Sequence, residues 1–551
     1  MHRIKFPLVA LCLLTPLRIW AGEPFHQQID QLIEARAGGE VATAADDAEF
    51  LRRVYLDLNG IVPTATAVRT FLADKDPQKR TRLIDQLLAA PDYARRMREA
   101  FTVMLLERRT GTAVSDEDWN KYLETSFSEN RPWDQFVREL FIADAANEKT
   151  RGTVKFFVDG GRADHDQMTI DVARLFLGMN IHCAKCHDHP NVDQFKQADY
   201  FGLSAYLMQS KSAKHTTLQT TFLIENVATA KVEFESVFDS GNKQQTGPRL
   251  PGGQEVEIPT FEKGEEFSEP AKDGLPGVPK FQPRQLLATH LTDPSNRRFV
   301  ENSVNRFWFL MMGRGLVHPL DMLHDQNPPS HPQLLKLLAD EFVAHKFDVQ
   351  WLLRELALSK TYQRSSILPE GVAAVDAPPQ SYRVANAKGL TPEQTAWSMM
   401  RATGVLDQVI KTPRAEDSKF TFKDYINGRI PAPDNLSDTM LLFVSVFGNP
   451  PGEAEVEFQP SMGQALFLMN EQLVLDWLKP SDVTLVGRLE KEADPKKIAD
   501  ELYVNILSRF PNAEESADVV SFLDENKDRR GEALGQYAWA MLTSAEFKLN
   551  H

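Results

Sequence analysis

Cysteine is nearly absent from the 551-residue chain, which contains only Cys12, Cys183 and Cys186. Small exported domains that lack a large core are commonly stabilised by several disulfides. Two of the three cysteines are separated by only two residues, so disulfides between many distant segments cannot form. This excludes a disulfide-rich scaffold and directs attention to the short segment in which two thiols occur together.

An excess of basic residues is also missing. Lys and Arg total 62 against 77 Asp and Glu, which gives a formal net charge of −15. A nucleic-acid binder needs a basic surface that displaces the counterions of the phosphate backbone, so this composition argues against a nucleic-acid partner. Hydrophobic residues make up 42% and charged residues 25%, the ordinary profile of a soluble globular protein.

Long apolar runs are confined to the N-terminus. Two basic residues precede an apolar stretch from Phe6 to Trp20, and the small residues Ala21 and Gly22 follow it. This pattern predicts a signal peptide over residues 1–22 and no membrane span after its removal. We therefore expect an exported protein of the periplasm or cell surface, and Cys12 leaves with the signal peptide.

The two remaining cysteines lie in the motif Cys183-Ala184-Lys185-Cys186-His187. This CxxCH spacing is the pattern for covalent attachment of haem c, in which two thiols add to the two vinyl groups of one haem. The residue after the second cysteine then places an imidazole beneath the iron. We predict Cys183, Cys186 and His187 as the cofactor-binding residues and His187 as the proximal ligand of the haem iron.

Three other interpretations of the same cysteines stay open. An exported CxxC pair can close a simple disulfide. A thioredoxin-like redox pair follows a strand, whereas residues 171–179 are predicted to form a helix that leads into the motif. Zinc is the less favoured alternative cofactor. It could use both cysteines with His187 and His189, next to His182, but closed zinc sites usually draw their second pair of ligands from a separate segment.

The ligand on the opposite face of a haem would decide its chemistry, because a methionine there favours electron transfer. Met208 is the nearest sulfur candidate and lies on a predicted helix that follows the motif. A methionine that fills a gap in the core is the simpler interpretation of this residue. His318, His324 and His331 are more remote candidates, for which surface or capping roles are the ordinary explanation.

No familiar hydrolase motif is evident, since the sequence lacks a recognisable Ser-His-Asp arrangement, phosphate loop or HExxH sequence. The sequence therefore assigns no catalytic residue. The polar residues Arg306, Arg314, Asp321 and His324 could line a site between helices, although pairing at helix ends and exposure to solvent also explain them.

Apolar residues recur with a period near 3.6 in segments such as 45–110, which predicts amphipathic helices. Residues 213–282 differ, because Val227 to Phe238 alternates as a strand does and a segment dense in glycine and proline follows. We therefore predict a mainly α fold with two helical domains. The first is a cytochrome-like domain at 23–212, the second is a C-terminal domain at 283–551, and a β-hairpin with an irregular linker joins them.

Local signals also predict where individual helices begin and end. Gly313 is expected to end the helix that opens near Asn296. Ser330 is the predicted N-cap of the next helix, with Pro332 just inside it. Asp348 is the predicted cap of the helix that follows.

Specific segments also carry a family resemblance. In the N-terminal part they are Phe50–Thr64, Cys183–Pro190 and Asp199–Leu203. In the C-terminal part they are Phe299–His331, Ser359–Ser366, Phe447–Pro451 and Leu542–Phe547. Together these segments resemble the planctomycete cytochrome-like exported proteins, in which an N-terminal CxxCH-containing domain of unknown function precedes a companion C-terminal domain of unknown function.

The chain departs from the pattern of these proteins in two places. Gln194 and Phe195 stand where Arg-Trp is expected after the CxxCH motif. Residues Glu453 to Phe458 contain no cysteine, whereas some relatives carry a cysteine pair there. The second departure removes any late thiol or thiolate–metal role from this chain.

The resemblance implies little about activity, because haem binding in these proteins is itself inferred from CxxCH. Their genes often lie beside genes for polysaccharide degradation. We therefore expect an exported c-type haem protein that transfers electrons or forms part of a redox enzyme linked to polysaccharide breakdown. Its partners would be a periplasmic redox protein or glycan-degrading proteins. The alternative is a non-catalytic exported binding or structural module in which CxxCH is a disulfide or metal staple.

Overall fold

A computed structural model describes residues 22–159, 164–416, 418–454 and 461–551. The predicted signal peptide, apart from Gly22, lies outside the described residues. Residues 455–458 of the late segment that lacks cysteine also lie outside them.

The described chain is mainly α-helical, as predicted from the periodicity of its apolar residues. In the first part of the chain the helices are α1 Phe25–Glu34, α2 Asp47–Asn59, α3 Ala65–Ala73, α4 Lys79–Leu88, α5 Pro91–Leu106, α6 Asp116–Ser128, α7 Trp133–Ile142, α8 Lys155–Val158, α9 His165–Leu177 and α10 Gln197–Leu207. The middle part contains α11 Pro283–Leu291, α12 Arg297–Met312, α13 Pro332–Ala344, α14 Val349–Leu358 and α15 Lys360–Gln363. The last part contains α16 Pro392–Thr403, α17 Leu406–Lys411, α18 Phe422–Ile426, α19 Leu436–Phe447, α20 Met462–Asn470, α21 Gln472–Trp477, α22 Leu485–Glu490, α23 Pro495–Ile506, α24 Ala513–Glu525, α25 Arg530–Thr543 and α26 Ala545–Lys548.

Strands are short and form antiparallel pairs. The pairs are β1 Ser210–Lys214 with β2 Thr221–Glu225, β3 Val232–Phe234 with β4 Gln244–Thr246, β5 Phe267–Glu269 with β6 Val278–Pro279, and β7 Lys388–Gly389 with β8 Leu549–Asn550. The strand predicted between Val227 and Phe238 is present as β3. Small β elements therefore occupy the segment in which the sequence alternates and then becomes rich in glycine and proline.

Side-chain caps fix several helix ends. The Asn296 side chain accepts a hydrogen bond from the N–H of Phe299 at 3.4 Å, and Gly313 ends α12 with a φ of +75°, as predicted. Asp348 caps α14 through the N–H of Trp351 at 2.8 Å, also as predicted. The predicted cap Ser330 is wrong by one residue. His331 holds the N-cap position of α13 without a capping hydrogen bond, because Pro332 already occupies N1.

One hydrophobic core joins helices from both sides of the predicted linker. Its buried residues come from 29–207 and from 287–382, together with Val504. The ring of Phe307, on α12, lies 5.6 Å from that of Phe101 and 5.2 Å from that of Trp133 between ring centroids. The two predicted helical segments therefore share one hydrophobic core.

A second hydrophobic core is formed by residues 396–547 together with Ile61. The C-terminal helices are also tied to the N-terminal part through Arg52, which is only 2% exposed. Its guanidinium donates to the carbonyl oxygens of Ile506 at 3.2 Å and Phe547 at 2.7 Å. These two hydrogen bonds join α2 to the end of the chain.

Candidate functional site

The CxxCH motif lies on a tight turn that follows α9. Gly178 ends α9 with a φ of +65°, and residues His182–Lys185 form one turn of 3₁₀ helix. The N–H of Cys186 donates to the carbonyl of Cys183 at 3.2 Å, so both cysteines belong to the same turn. Both are exposed, and both are free thiols. The local chain therefore presents two accessible thiols on the same turn.

The imidazole of His187 has a defined tautomer. Its Nδ1 lies 2.6 Å from the carbonyl oxygen of Asp188. Because a carbonyl oxygen can only accept, Nδ1 carries the proton, and Nε2 keeps its lone pair for a metal. The ring is half-buried, and its centroid lies 4.9 Å from that of Phe238, a residue that is 81% exposed.

The neighbouring histidines differ from His187. Nδ1 of His189 accepts a hydrogen bond from the N–H of Asn191 at 3.2 Å, which places the proton of the neutral ring on Nε2. The N–H of His189 donates to the carbonyl of Phe195 at 2.9 Å. His182 is exposed. His187 is thus the motif histidine whose Nε2 is prepared as a ligand.

Side chains from α9 and α10 hold the turn in place. Lys185 forms an ion pair with Asp166, and the hydroxyl of Tyr200 donates to the same carboxylate at 2.6 Å. Burial favours the neutral form of Asp166, but the hydrogen bonds from Lys185 and Tyr200 outweigh it and lower the pKa of this carboxyl. The side-chain amide of Gln197 donates to the carbonyl of Lys185 at 3.2 Å.

The β-containing insertion also contacts the turn. The N–H of Val237 donates to the carbonyl of Cys186 at 3.0 Å, and the amide of Gln197 donates to the carbonyl of Glu235 at 3.0 Å. Val237 and Phe238 are exposed apolar residues next to the motif, at 62% and 81%. The insertion therefore supplies an apolar surface beside the two thiols.

Met208, the predicted distal candidate, lies at the other end of α10. Gln197, the first residue of this helix, contacts the motif, whereas Met208 follows its last turn. At about 1.5 Å per residue the two positions are separated by about 16 Å along the helix axis. The structure thus does not bring Met208 to the motif, and its role as a ligand stays a prediction.

A loop of the C-terminal part docks against the segments that flank the motif. The N–H of Asn180 donates to the carbonyl of Asp321 at 2.8 Å, and the N–H of Leu323 donates to the carbonyl of Gly178 at 2.8 Å. The ring of His324 lies 5.5 Å from the ring of Phe195, between centroids. Phe195, which stands where a tryptophan was expected, is therefore an interface residue between the loop and the motif segment.

His324 is unusual among the remote candidates. Both of its ring nitrogens are shielded from solvent and have no hydrogen-bond partner among the described residues. Burial lowers the pKa of its imidazole, and the neighbouring side chains of His189 and Arg298 lower it further. The ring is therefore held neutral at the interface between the loop and the motif segment.

A cavity of about 510 Å³ lies beside the same loop, which reaches it through His318 and Leu320. One face of α5 and one face of α12 form two of its walls. A third wall is the segment 386–394, which leads into the N-terminus of α16. Its volume is in the range of small-molecule sites.

Most charges of the cavity wall are paired. Asp57 contacts Lys388 at 2.5 Å, and Glu107 contacts Arg174 at 2.5 Å. The other two carboxylates of the wall are also engaged: Glu99 with Arg95 and Arg98, and Glu393 with Arg108. The carboxylates are thus neutralised by cations that lie on the wall or just behind it.

The polar residues singled out from the sequence separate into two places. Arg306, Arg314 and His318 line the cavity. Asp321 and His324 belong to the loop that docks on the motif segment. His331 lies elsewhere, at the start of α13.

The cavity is also lined by Arg96, Lys388 and Glu393, which no pattern in the sequence marks as members of a site. Arg96 and Glu99 lie within an ordinary amphipathic helix, and Lys388 follows a segment without any motif. A buried charge on the apolar face of α5 is the signal that could have found Arg96. Its orientation toward α12 depends on tertiary packing.

Two further features of the described residues concern metals and membranes. Among residues 22–159, 164–416, 418–454 and 461–551, no three His, Cys, Asp or Glu side chains converge in an arrangement suited to a metal ion. No helix in this part of the chain combines the length and the apolar character needed to cross a bilayer.

Comparison with known families assigns two segments of the chain. Residues 28–212 match the family PSCyt2, described as a protein of unknown function (DUF1549). Residues 283–523 match the family PSD1, described as a protein of unknown function (DUF1553). The chain thus contains a match to each of the two families, in this order. The PSCyt2 segment contains the CxxCH turn, and residues of both segments line the cavity. No curated protein and no solved structure matches the chain.

Proposed function

We propose that this chain is an exported c-type haem protein that transfers electrons. The observation that supports the proposal best is the turn itself. Two free, exposed thiols lie on one turn of 3₁₀ helix, directly before a histidine whose Nε2 is available as a ligand. An exported location follows from the predicted signal peptide and suits covalent haem attachment.

The residues around the motif fit a haem. Cys183 and Cys186 would form the two thioether bonds, and His187 would be the proximal ligand of the iron. Asp188 orients the imidazole through its carbonyl oxygen, the kind of contact that fixes the tautomer of a metal-binding histidine. The exposed side chains of Val237 and Phe238 supply apolar surface next to the motif. When bound, the haem would supply one-electron redox chemistry.

The physiological role follows from the resemblance to planctomycete exported proteins. We propose that the electrons pass to or from a periplasmic redox partner, or to glycan-degrading proteins in a redox step of polysaccharide breakdown. The chain contributes an exposed motif, so an electron need cross only a short distance to reach a docked partner. In the alternative role, CxxCH is a disulfide or metal staple in a binding module. This alternative predicts that the chain carries no covalent haem in the experiment below.

Covalent haem is tested by expressing the full chain in a host with a cytochrome c maturation system. We expect a polypeptide that retains haem stain in a denaturing gel and whose mass exceeds that of the processed chain by one haem. Replacing both thiols, in C183S/C186S, should abolish the stain. An unstained chain with the mass of the bare polypeptide would contradict the proposal and favour the staple.

The ligand assignment is tested with the matched variants His187→Ala and His189→Ala, which differ only in which imidazole is removed. Both keep the two thiols, so both should stain for haem. We expect His187→Ala to change the spin state and optical spectrum of the iron, because Nε2 of His187 is the prepared ligand. His189→Ala should shift the spectrum only slightly. A reversed result would assign the iron to His189.

A further inference from the structure

Three arginines on the wall of the cavity form no close ion pair with a carboxylate of the described residues. Nε of Arg96, on α5, is buried without a hydrogen-bond partner among the described residues. Arg306, on α12, makes one hydrogen bond, from its Nη2 to the carbonyl of Arg174 at 2.7 Å. Arg314 follows the end of α12, and its Nε has no partner among the described residues. None of the three lies within 4.0 Å of a carboxylate of the described chain.

Two of these cations are deeply buried. Arg96 is 5% exposed and Arg306 is 7% exposed. Burial lowers the pKa of Arg306 to about 10, and the positive charge of Arg174 adds to the effect, whereas Asp321 and Glu107 offset only part of it. A guanidinium that is buried without a hydrogen-bonded counter-charge loses the solvation that it has in water. A buried charged group with a perturbed pKa on the wall of a cleft is a candidate for a functional site.

Asp57, Glu99 and Glu393 attract Arg96 electrostatically, and Asp321 and Glu107 attract Arg306, but none of these carboxylates forms a hydrogen bond with the two arginines. Asp57 accepts hydrogen bonds from Tyr362 at 2.8 Å and Asn550 at 2.7 Å in addition to its ion pair with Lys388. Glu99 accepts from the indole N–H of Trp397 at 2.9 Å and pairs with Arg95. The positive charge that remains at the wall is therefore provided by the three arginines.

The backbone adds to this positive potential. Residues Thr391 to Gln394, at the N-terminus of α16, form part of the same wall. The N-terminus of a helix carries a partial positive charge and favours anions. Guanidinium groups bind carboxylate, phosphate and sulfate oxygens through paired hydrogen bonds.

We propose that this cavity binds a small oxyanion-bearing molecule, a carboxylate or a phosphate or sulfate compound, through Arg96, Arg306 and Arg314. The apolar parts of the wall, from α5 and α12, would contact the remainder of the ligand. Because the loop that carries His318 and Leu320 also docks against the motif segment, an occupant of the cavity would lie within the same structural unit as the CxxCH turn.

Binding is tested by isothermal titration calorimetry on the full chain at constant ionic strength, with inorganic phosphate, inorganic sulfate and citrate as probes. We expect saturable binding of at least one probe, and the probe that binds identifies the chemical class. Arg306→Gln and Arg314→Gln should each weaken binding at least tenfold, because each removes a charge-assisted pair of hydrogen bonds. Arg529→Gln is the matched control on an exposed helix end away from the cavity, and it should leave the affinity unchanged.

Arg314 is less buried than Arg306, so Arg314→Gln serves as the test if Arg306→Gln does not fold. Circular dichroism of each variant establishes that it is folded before titration. Absence of saturable binding for all three probes would overturn the proposal. Binding that the folded arginine variants retain with the affinity of the unmodified chain would overturn it as well. Either result leaves the haem proposal untouched, because the two thiols play no part in this test.

Discussion

At the residue scale, hydrogen bonds decide what each histidine can do. The sequence selects His187 because it directly follows Cys186. The structure adds that the Asp188 carbonyl holds the proton on Nδ1, whereas His189 accepts through Nδ1. This difference could not be predicted from spacing, because it depends on the backbone conformation around Asp188 and Asn191.

His331 is the clearest buried histidine of the described chain. It is 3% exposed, its Nδ1 lies 3.1 Å from the hydroxyl of Ser330, and its ring lies 5.7 Å from that of Tyr382. Burial first, and the charge of Arg36 second, lower the pKa of His331 to about 4. A proton on this ring would also meet the positive N-terminus of α13.

The stability of the protein should therefore fall in mild acid. Between about pH 6.5, the pKa of an unfolded histidine, and pH 4, the unfolded state binds a proton that the folded His331 does not. The free energy of unfolding should decrease as pH falls through this window, by up to about 3 kcal/mol from this residue. Urea unfolding at a series of pH values measures the decrease.

His331→Gln is the variant that isolates this contribution, since it keeps a polar side chain but cannot titrate. The difference in unfolding free energy between the unmodified chain and this variant should change with pH only inside the window. A difference that is constant from pH 4 to 7 would show that His331 titrates alike in both states.

At the element scale, close contacts at helix ends shape the cavity. Gly60 ends α2 with a φ of +68°, and a Cβ there would lie 2.7 Å from Cδ of Arg96. Gly313 ends α12 with a φ of +75°, and a Cβ there would lie 2.6 Å from Cγ of Lys388. Glycine is thus favoured at the ends of α2 and α12 for two reasons. The backbone is left-handed there, and a Cβ would contact a side chain that lines the cavity.

Gly313→Ala should destabilise the protein by about 2 kcal/mol or more. The left-handed conformation costs roughly 1–2 kcal/mol for a residue with a Cβ, and the contact with the buried stem of Lys388 adds an overpacking cost of roughly 1 kcal/mol or more. Lys388 cannot move freely, because its Nζ contacts Asp57 and the carbonyl of Met311 at 2.8 Å. Urea unfolding measures the loss.

Gly371→Ala is the matched control for the backbone term. Gly371 has a φ of +79°, and a Cβ there would meet no atom within 4 Å. Its substitution should cost only the backbone strain, roughly 1 kcal/mol. An equal decrease in the free energy of unfolding for both variants would show that the contact between residue 313 and Lys388 does not destabilise the Gly313→Ala variant.

At the scale of the whole molecule, two helical segments that are separate in sequence pack into one hydrophobic core. The two segments with family matches are separated by residues 213–282, yet helices from both contribute to one core. The insertion itself lies on the outside. Most residues from Asp239 to Lys280 are exposed, although Arg249 contacts Asp199 at 3.2 Å.

Limited trypsin digestion should cut first between residues 239 and 282, where Lys243 and Lys272 have side chains that are 63% and 84% exposed. Exposed, turn-rich segments are the preferred sites of proteolysis. We expect the two fragments to stay together in gel filtration, because separating them would expose the shared core around Phe307. They should separate in denaturing gels.

Two results would contradict this picture. Fragments that elute separately under native conditions would show that each segment folds alone. First cleavage within residues 45–110 would show that the helices there are less protected than the insertion. A digest of the C183S/C186S variant is a useful control, since it reports whether the motif itself changes accessibility.

The sequence by itself determined the helical class, several helix ends and the position of the CxxCH motif. These features depend on local periodicity, on capping residues such as Asn296 and Asp348, and on the spacing of Cys183 and Cys186, all of which a short segment contains. Tertiary structure alone decided that both helical segments share one core and that Arg96 and Arg306 face one cavity. Those relations join residues that are distant in sequence, and they arise when α5 and α12 pack against each other, which no local pattern specifies.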